Sequence, residues 1–284
     1  MSIELADGSV SPAAAGATGG TENGRCGHVV VSSVSRRFVE RKRTTEVMNG
    51  VSLEMPAGQF TSLVGPSGCG KTSLLRMLAG LDRPDEGSIH IDGAYPQDLR
   101  AQHHLAIAFQ DAALLPWRSV EDNIRLPLEL AGALKRDGER AHETVRQLVR
   151  LVGLEDFGKA RPAQLSGGMQ QRTAIARALA VDPRLLLLDE PFASVDEITR
   201  RRLNVELLSI LSGRRHGTVL VTHSVSEAVF LSDEVFVMSA RPTHVVEQLR
   251  VELPEPRSPE VMRTKEFFEL TEHVAATLYA SSSI

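Results

Sequence analysis

The chain reads as an α/β protein with a mainly parallel core sheet. Three observations predict this. Short β-branched or fully apolar runs recur along it: "QFTSLV", "LAIAF", "LLLLDE", "TVLVTH" and "EVFVMS". Strands apolar on both faces belong inside a sheet covered on both sides, which is the habit of parallel sheets. Segments with helical spacing separate the runs, the alternation that builds β-α-β units. Finally, one strand runs straight into "GPSGCGKT", residues 65–72, and then into a helix. Strand, glycine loop and helix in that order are the context a phosphate-binding loop requires.

The elements follow in chain order. Residues 1–27 are rich in Gly, Ala, Ser and Thr, carry no sustained period, and are expected to form a disordered tail. Order is expected from "HVVVSSVSRRF", a β-branched strand, followed by "VSLEM", where Val51, Leu53 and Met55 alternate. Pro56-Ala57-Gly58 turns the chain into the strand before the glycine loop, and "TSLLRMLAGL" forms a helix that stops at Gly80. "LAIAF" (105–109) is a buried strand, and "VEDNIRLPLELAGAL" with "RAHETVRQLVRLVGL" makes a helical insert. A helix starting near "SGGMQQRTAIARALA" leads to "LLLLDE". Next come a helix over about 197–212, the strand "TVLVTH", a short helix opened by the capping-box pattern Ser224-x-x-Glu227, and the strand "EVFVMS". "PEPRSP" reads as a proline-punctuated linker. From Ser258 a last helix places Phe267, Leu270, Val274 and Leu278 on one face.

Composition narrows the function. The 284 residues, 42% apolar and 24% charged, suit a soluble globular chain of one large or two small domains. A formal charge of −4 speaks against a nucleic-acid partner, which calls for a basic surface. No apolar run approaches the roughly 20 residues a membrane helix needs, and no signal-peptide pattern opens the chain, so a cytoplasmic location is expected. Cys26 and Cys69 have no companions at disulfide-framework or metal spacing and read as reduced thiols. The basic runs "RRFVERKR" and "TRRRL" read as solvated faces, and His103-His104 as loop.

The glycine loop carries the chemistry. Gly65, Gly68 and Gly70 permit backbone conformations and close approaches that a side chain would block, so amides at a helix start can face phosphate oxygens. Lys71 reaches the β- and γ-phosphates, and the Thr72 hydroxyl is placed for Mg²⁺. At the end of "LLLLDE", Asp189 is suited to the metal and Glu190 to polarising a water. "LSGGMQQR", residues 165–172, puts Ser, Gly and Gly at another helix start, a second anion cradle. One nucleotide needs only one such loop, so the second requires a reason.

The combination resembles the ATP-binding cassette (ABC) ATPases over about residues 28–255. It is similar to their Walker A loop at Gly65–Thr72, Q-loop at Gln110, signature at Leu165–Arg172, Walker B at Leu185–Glu190, D-loop at Asp196 and switch histidine at His223. The resemblance implies a phosphate-loop fold with a mainly parallel core sheet, an antiparallel β subdomain and an α-helical signature subdomain at about 112–178. Residues 256–284 form a C-terminal helical extension. It implies ATP and Mg²⁺ as ligands, with Pro66, Ser67, Cys69 and Ser73 joining the loop residues around ATP. Phe38 corresponds to the adenine-stacking aromatic, with a core residue at a strand end as the other reading. Thr72, Gln110 and Asp189 are the implied metal ligands. Glu190 aligns the attacking water, His223 contacts the γ-phosphate, and Gln110 senses metal and nucleotide.

In that family two cassettes pair head to tail. The resemblance therefore implies a homodimer in which Ser166, Gly167, Gly168 and Gln170 complete the partner's site and Asp196 couples the two. Two departures stand out: the D-loop reads Ala193-Ser194-Val195-Asp196, and Ser224 follows the switch histidine. The compact form, with too short a stretch after His223 for a regulatory barrel, resembles an importer subunit on the cytoplasmic face. Such a subunit docks on a separate permease served by an extracytoplasmic solute-binding protein. "FQDAALLPWRSVEDNI", "DEPFASVDEITR" and "ELPEPR" resemble the nitrate, sulfonate and taurine importer group. Trp117 then either faces the permease or packs in the helical insert. Cys69, among the phosphate-binding amides, is expected to be an alkylation site that MgATP protects. The alternatives are a soluble ABC ATPase of DNA repair or translation, and a phosphate-loop kinase. The first lacks its coiled-coil insert here, and the second leaves "LSGGMQQR" and Glu190 without a purpose.

Overall fold

The structure, a computed structural model, describes residues 24–40, 43–193, 195–213 and 215–282. Most of residues 1–27, together with Ser194, therefore lie outside the described residues. Cys26 and Gly27, at the end of the expected tail, are fastened to the body. The Gly27 N–H donates to both oxygens of Asp92 at 3.0 and 3.1 Å, and the Cys26 N–H donates to the Arg215 carbonyl.

Two sheets carry the fold. The antiparallel one is ordered β2-β1-β4, from β1 (Val29–Glu40), β2 (Arg43–Met55) and β4 (Glu86–Ile91). The second is ordered β5-β6-β7-β3-β8-β9, from β3 (Phe60–Val64), β5 (Leu105–Ala108), β6 (Leu185–Asp189), β7 (Gly217–Thr222), β8 (Glu234–Met238) and β9 (Val245–Arg250). Its first five members run parallel and β9 returns antiparallel. β6 shows why fully apolar strands sit in the middle. Leu186 and Leu188 face a core shared with the helices, Leu185 and Leu187 face a core shared with the antiparallel sheet, and all four are buried. Period-two alternation thus serves two cores at once.

The helices are α1 (Lys71–Leu78), α2 (Pro96–Ala101), α3 (Val120–Leu130), α4 (Ala133–Arg136), α5 (Gly138–Leu151), α6 (Gly167–Leu179), α7 (Glu197–Leu211), α8 (Val225–Leu231) and α9 (Lys265–Ser282). α1 packs between the two sheets through Leu74, Leu75, Met77 and Leu78. α3, α5 and α6 make the helical insert around Ile124, Val145, Leu148 and Ile175. The insert's first helical run is broken at Gly132, whose φ of 70° ends α3 before α4.

Four expectations are corrected. β2 begins at Arg43 rather than Val51, because it pairs along the whole of β1 in a long hairpin. β4, α2 and β9 went unpredicted. The last helix starts at Lys265, after a 3-10 turn at Pro259–Arg263, although Phe267 and Val274 are buried as foreseen. "PEPRSP" is no free linker: the Arg257 guanidinium is inserted at the end of α8 and donates to the Phe230 and Ser232 carbonyls, otherwise orphaned at a helix C-terminus.

Candidate nucleotide-binding site

The parallel strands converge their carboxyl ends on one place. Register pairs Ala108 with Leu188, Asp189 with Val221, and Val64 with both Thr222 and Val237. The loops that follow carry Gln110, Glu190, His223, Gly65–Gly70 and Arg241, so these residues gather at one edge of the sheet. Ligands of open α/β sheets sit outside strand carboxyl ends.

The glycine loop is shaped by its surroundings. Gly68 and Gly70 have φ of 74° and 122°, conformations that favour glycine. Gly70 is also the N-cap of α1 and offers no side-chain cap, so the first-turn N–H groups stay available to an anion. Lys71 is only 5% exposed, and its Nζ donates to the Gly65 and Pro66 carbonyls at 2.7 and 3.0 Å. The ammonium is thereby held inside the loop. Ser67 and Gly68 are exposed at the rim, and Ser73 is half-buried on the first turn.

Thr72 Oγ1 donates to Asp189 Oδ1 at 3.2 Å. Burial pushes the Asp189 carboxyl above its ordinary range, and the neighbouring Glu190 adds to the rise, while the Thr72 hydrogen bond and Lys71 oppose it. A hydroxyl and a buried carboxylate side by side are oxygen donors that fit a hard divalent cation such as Mg²⁺. Glu190 directly follows β6 with φ 44°, a left-handed conformation uncommon outside glycine. Its Oε2 lies 3.1 Å from His223 Nδ1. Gln110 is exposed, two positions past β5.

Other predicted residues stand apart from this edge. Ser166 is the N-cap of α6, accepting from the Met169 N–H, and Ser166 and Gly167 are exposed. The cavity of about 290 Å³ at the glycine loop is lined by Pro66–Cys69, Ala240 and Arg241, with no signature residue. Gln170 turns its carboxamide back onto the Pro162 and Leu165 carbonyls, so that group braces its own chain. Asp196 is the N-cap of α7, and hydrogen bonds led by the Thr199 backbone N–H hold its carboxyl below the usual range. Phe38 is 42% exposed, with the Arg36 guanidinium 5.0 Å from its ring centroid, so it is not the core residue that was its other reading. Trp117, 68% exposed, is likewise not packed within the helical insert. Cys69 is 2% exposed, its thiol inside the core behind the loop, which corrects the expectation of a readily alkylated thiol.

Several contributors take roles that no sequence pattern pointed to. From the signature helix, Gln171 donates to the Phe109 carbonyl, and Arg177 donates to those of Ala112 and Ala113. The Gln110 loop therefore hangs on α6. Arg200 of α7 donates to the Phe192 and Val195 carbonyls around the D-loop. Glu227, 4% exposed, does not complete the expected capping box. Its carboxylate takes the Thr222 hydroxyl, and that same hydroxyl accepts the Ser224 N–H, behind His223. Its Oε1 is buried without a hydrogen-bond partner among the described residues.

Burial raises the Glu227 pKa, and nearby Glu190 adds to the rise; the Thr222 hydrogen bond and the charges of Arg200 and His223 oppose it. A carboxyl raised on folding favours its protonated form. Its contribution to stability is full below the unfolded value, about 4.3, and is lost as pH climbs through the folded one. Glu227→Gln should therefore gain stability relative to wild type between pH 5 and pH 8. Urea midpoints at the two pH values check this, and an unchanged difference between them would contradict it.

A glycine-shaped anion cradle on a helix start, with a carboxylate pair at a neighbouring strand end, is the site of a phosphate-loop nucleoside triphosphatase. The chain belongs to the ABC transporter family: the ABC transporter family model matches residues 48–193. It is 39% identical over 241 residues to the aliphatic sulfonates import ATP-binding protein SsuB of Bacillus cereus, covering 85% of this chain and 91% of that one. To the nitrate import ATP-binding protein NrtD of Synechocystis sp. it is 35% identical over 257 residues, covering 88% and 95%. Among solved structures it is similar to a dimeric post-hydrolysis state of an ATP-binding cassette bound to ADP and Pi. That match has a TM-score of 0.69 and 28% identity, covering 79% of this chain and 99% of that one. The chain is accordingly an ATPase of the cassette type, and the nitrate and sulfonate importer resemblance holds.

Proposed function

We propose that this chain is the ATP-hydrolysing subunit of an importer for a small oxyanionic solute, working as a homodimer under a separate permease. One observation carries the reading. The chain holds two helix starts built as anion cradles, Gly65–Thr72 ahead of α1 and Ser166–Gly168 at α6, with Ser166 and Gly167 exposed. A second copy, paired head to tail, gives each cradle its complement. The exposed apolar side chain of Ile198, two residues past Asp196, offers surface for that copy to cover.

Within each site Lys71 and the loop amides bind the β- and γ-phosphates, and Phe38 stacks on adenine. Thr72 and Asp189, with Gln110, would hold Mg²⁺, which supplies charge neutralisation on the phosphate oxygens. Glu190 orients the water for in-line attack and takes up its proton, and His223 steadies Glu190 and meets the γ-phosphate. The signature residues Ser166, Gly167 and Gly168 close over the partner's nucleotide, and Asp196 links the two sites. ATP favours the closed dimer and hydrolysis releases it, biasing the permease between its two faces.

Among the described residues no helix is long and apolar enough to cross a membrane. We place the subunit peripherally on the cytoplasmic face, with Trp117 toward the permease. A groove of about 960 Å³ between α3, α5 and residues 102–104, lined by apolar Leu128 and Leu151 and by charged Arg136, Asp137 and Arg140, is the candidate seat for a permease helix. The solutes named for the sulfonate and nitrate relatives share an oxyanion, and that is the class assigned here. The test is reconstitution in proteoliposomes with the companion permease and solute-binding protein. ATPase activity should rise with one of nitrate, taurine or an alkanesulfonate. Stimulation by DNA or RNA instead would favour the repair or translation alternative, and phosphate transfer to a small acceptor would favour a kinase.

A further inference from the structure

The segment between β8 and β9 closes the back of the glycine loop through residues outside every motif above. It is tied at its base, where the Ser239 N–H donates to the His244 carbonyl and the His244 N–H donates to Ser239 Oγ, each at 3.0 Å. At its tip the Arg241 Nε–H donates to the Gly68 carbonyl and the Thr243 hydroxyl to the Cys69 carbonyl. Thr243 is 1% exposed and is fixed from its other side by β2. Its N–H donates to the Val47 carbonyl at 2.8 Å, and its carbonyl accepts the Asn49 N–H at 3.3 Å.

A peptide unit is planar and trans, so holding a carbonyl also sets the direction of the N–H on the following residue. The Cys69 carbonyl and the Gly70 N–H share one such plane and point opposite ways. The Cys69 N–H is already used on the Pro66 carbonyl at 3.3 Å, whereas the Gly70 N–H has no acceptor among the described residues. We propose that Thr243 is a positioning residue for phosphate binding, supported by Arg241. Its hydroxyl pins the 69–70 peptide from outside, so that the Gly70 N–H is aimed into the cradle before nucleotide arrives. The inference rests on residues 65–72 being the ATP site. Its benefit is preorganisation: the amide need not be reoriented when the phosphates bind.

The test uses the full-length protein and measures ATP affinity, inhibition by inorganic tripolyphosphate, and KM against kcat. Thr243→Val keeps the shape and removes the hydroxyl. It should weaken ATP and tripolyphosphate alike by about tenfold, the scale of one hydrogen bond, and raise KM by the same factor while kcat changes less than about twofold. Thr243→Ser restores the donor and should stay within about twofold of wild type. Arg241→Ala, at an exposed position that does not threaten folding, should weaken tripolyphosphate by roughly two- to fivefold. Wild-type affinities in Thr243→Val would overturn the proposal, as would a serine variant as weak as the valine one. Weakened ATP with unchanged tripolyphosphate would point to the base instead and also overturn it. If Thr243→Val folds poorly, Arg241→Ala decides alone, and unchanged tripolyphosphate inhibition counts against the brace. A wild-type chain that binds neither ligand would overturn the underlying site assignment, and the brace with it.

Discussion

Glu190→Gln is expected to bind ATP normally and to lose turnover by about 10²- to 10⁴-fold, the usual cost of removing a positioned base. Glutamine keeps the length of the side chain and an oxygen that His223 Nδ1, 3.1 Å away in the wild type, can still meet. It cannot take up a proton from water. The left-handed backbone at Glu190, φ 44°, is set by β6 and by the Glu190 N–H bond to the Val221 carbonyl, so the substitution leaves the main chain in place. With hydrolysis blocked and binding intact, ATP should hold two chains together. The variant should elute at twice the monomer mass in ATP and at the monomer mass without it. Hydrolysis at the wild-type rate would remove Glu190 from the water-positioning role.

Gly70→Ala should be nearly as damaging, for a different reason. A Cβ there would lie 2.7 Å from Val47 Cγ1 and 3.2 Å from Met48 Cε, and the position already has φ 122°. Val47 is a buried, β-branched member of β2, so its methyl does not yield easily, whereas the Met48 methyl ends a flexible side chain. A strained backbone residue costs of order 1–3 kcal/mol, and the collision adds to it, so nucleotide affinity should fall by about 10²-fold or more. Adding Val47→Ala removes the colliding methyl but not the φ strain. The double variant should therefore recover part of the loss. No recovery would mean that the backbone alone sets the cost, and a full recovery that the wall alone does.

The glycine loop, the acid pair and the signature serine were legible because each is announced by its immediate neighbours, whereas Phe38, Gln110, Asp196 and His223 were reached only through the family resemblance. A glycine pattern after a strand, two acids ending an apolar run and a serine before two glycines all encode local backbone geometry. The parallel sheet was legible because strands such as β6 are apolar on both faces. The elements that escaped lie where that signal weakens. β9 sits at the sheet edge, with alternately half-buried and exposed residues, and β4 mixes glycine, serine and histidine into its run. Glu227 matched a capping pattern, but its carboxylate found the Thr222 hydroxyl instead. Arg241 and Thr243 meet the glycine loop across 173 and 174 positions, a distance at which spacing carries no information.

The place of β3 in its sheet has a consequence for how the protein is made. β3 delivers the glycine loop, yet both its neighbours, β7 and β8, are encoded roughly 150 residues or more downstream, and so is the brace behind the loop. At about 5–20 residues per second, a ribosome needs on the order of 10–30 s to supply them. Throughout that interval the nascent chain holds the whole Walker A sequence and an apolar strand with nothing to pair with. Folding of the site thus waits on strands made late in synthesis, and until then β3 is an unpaired apolar edge of the kind that leaves nascent chains prone to aggregate.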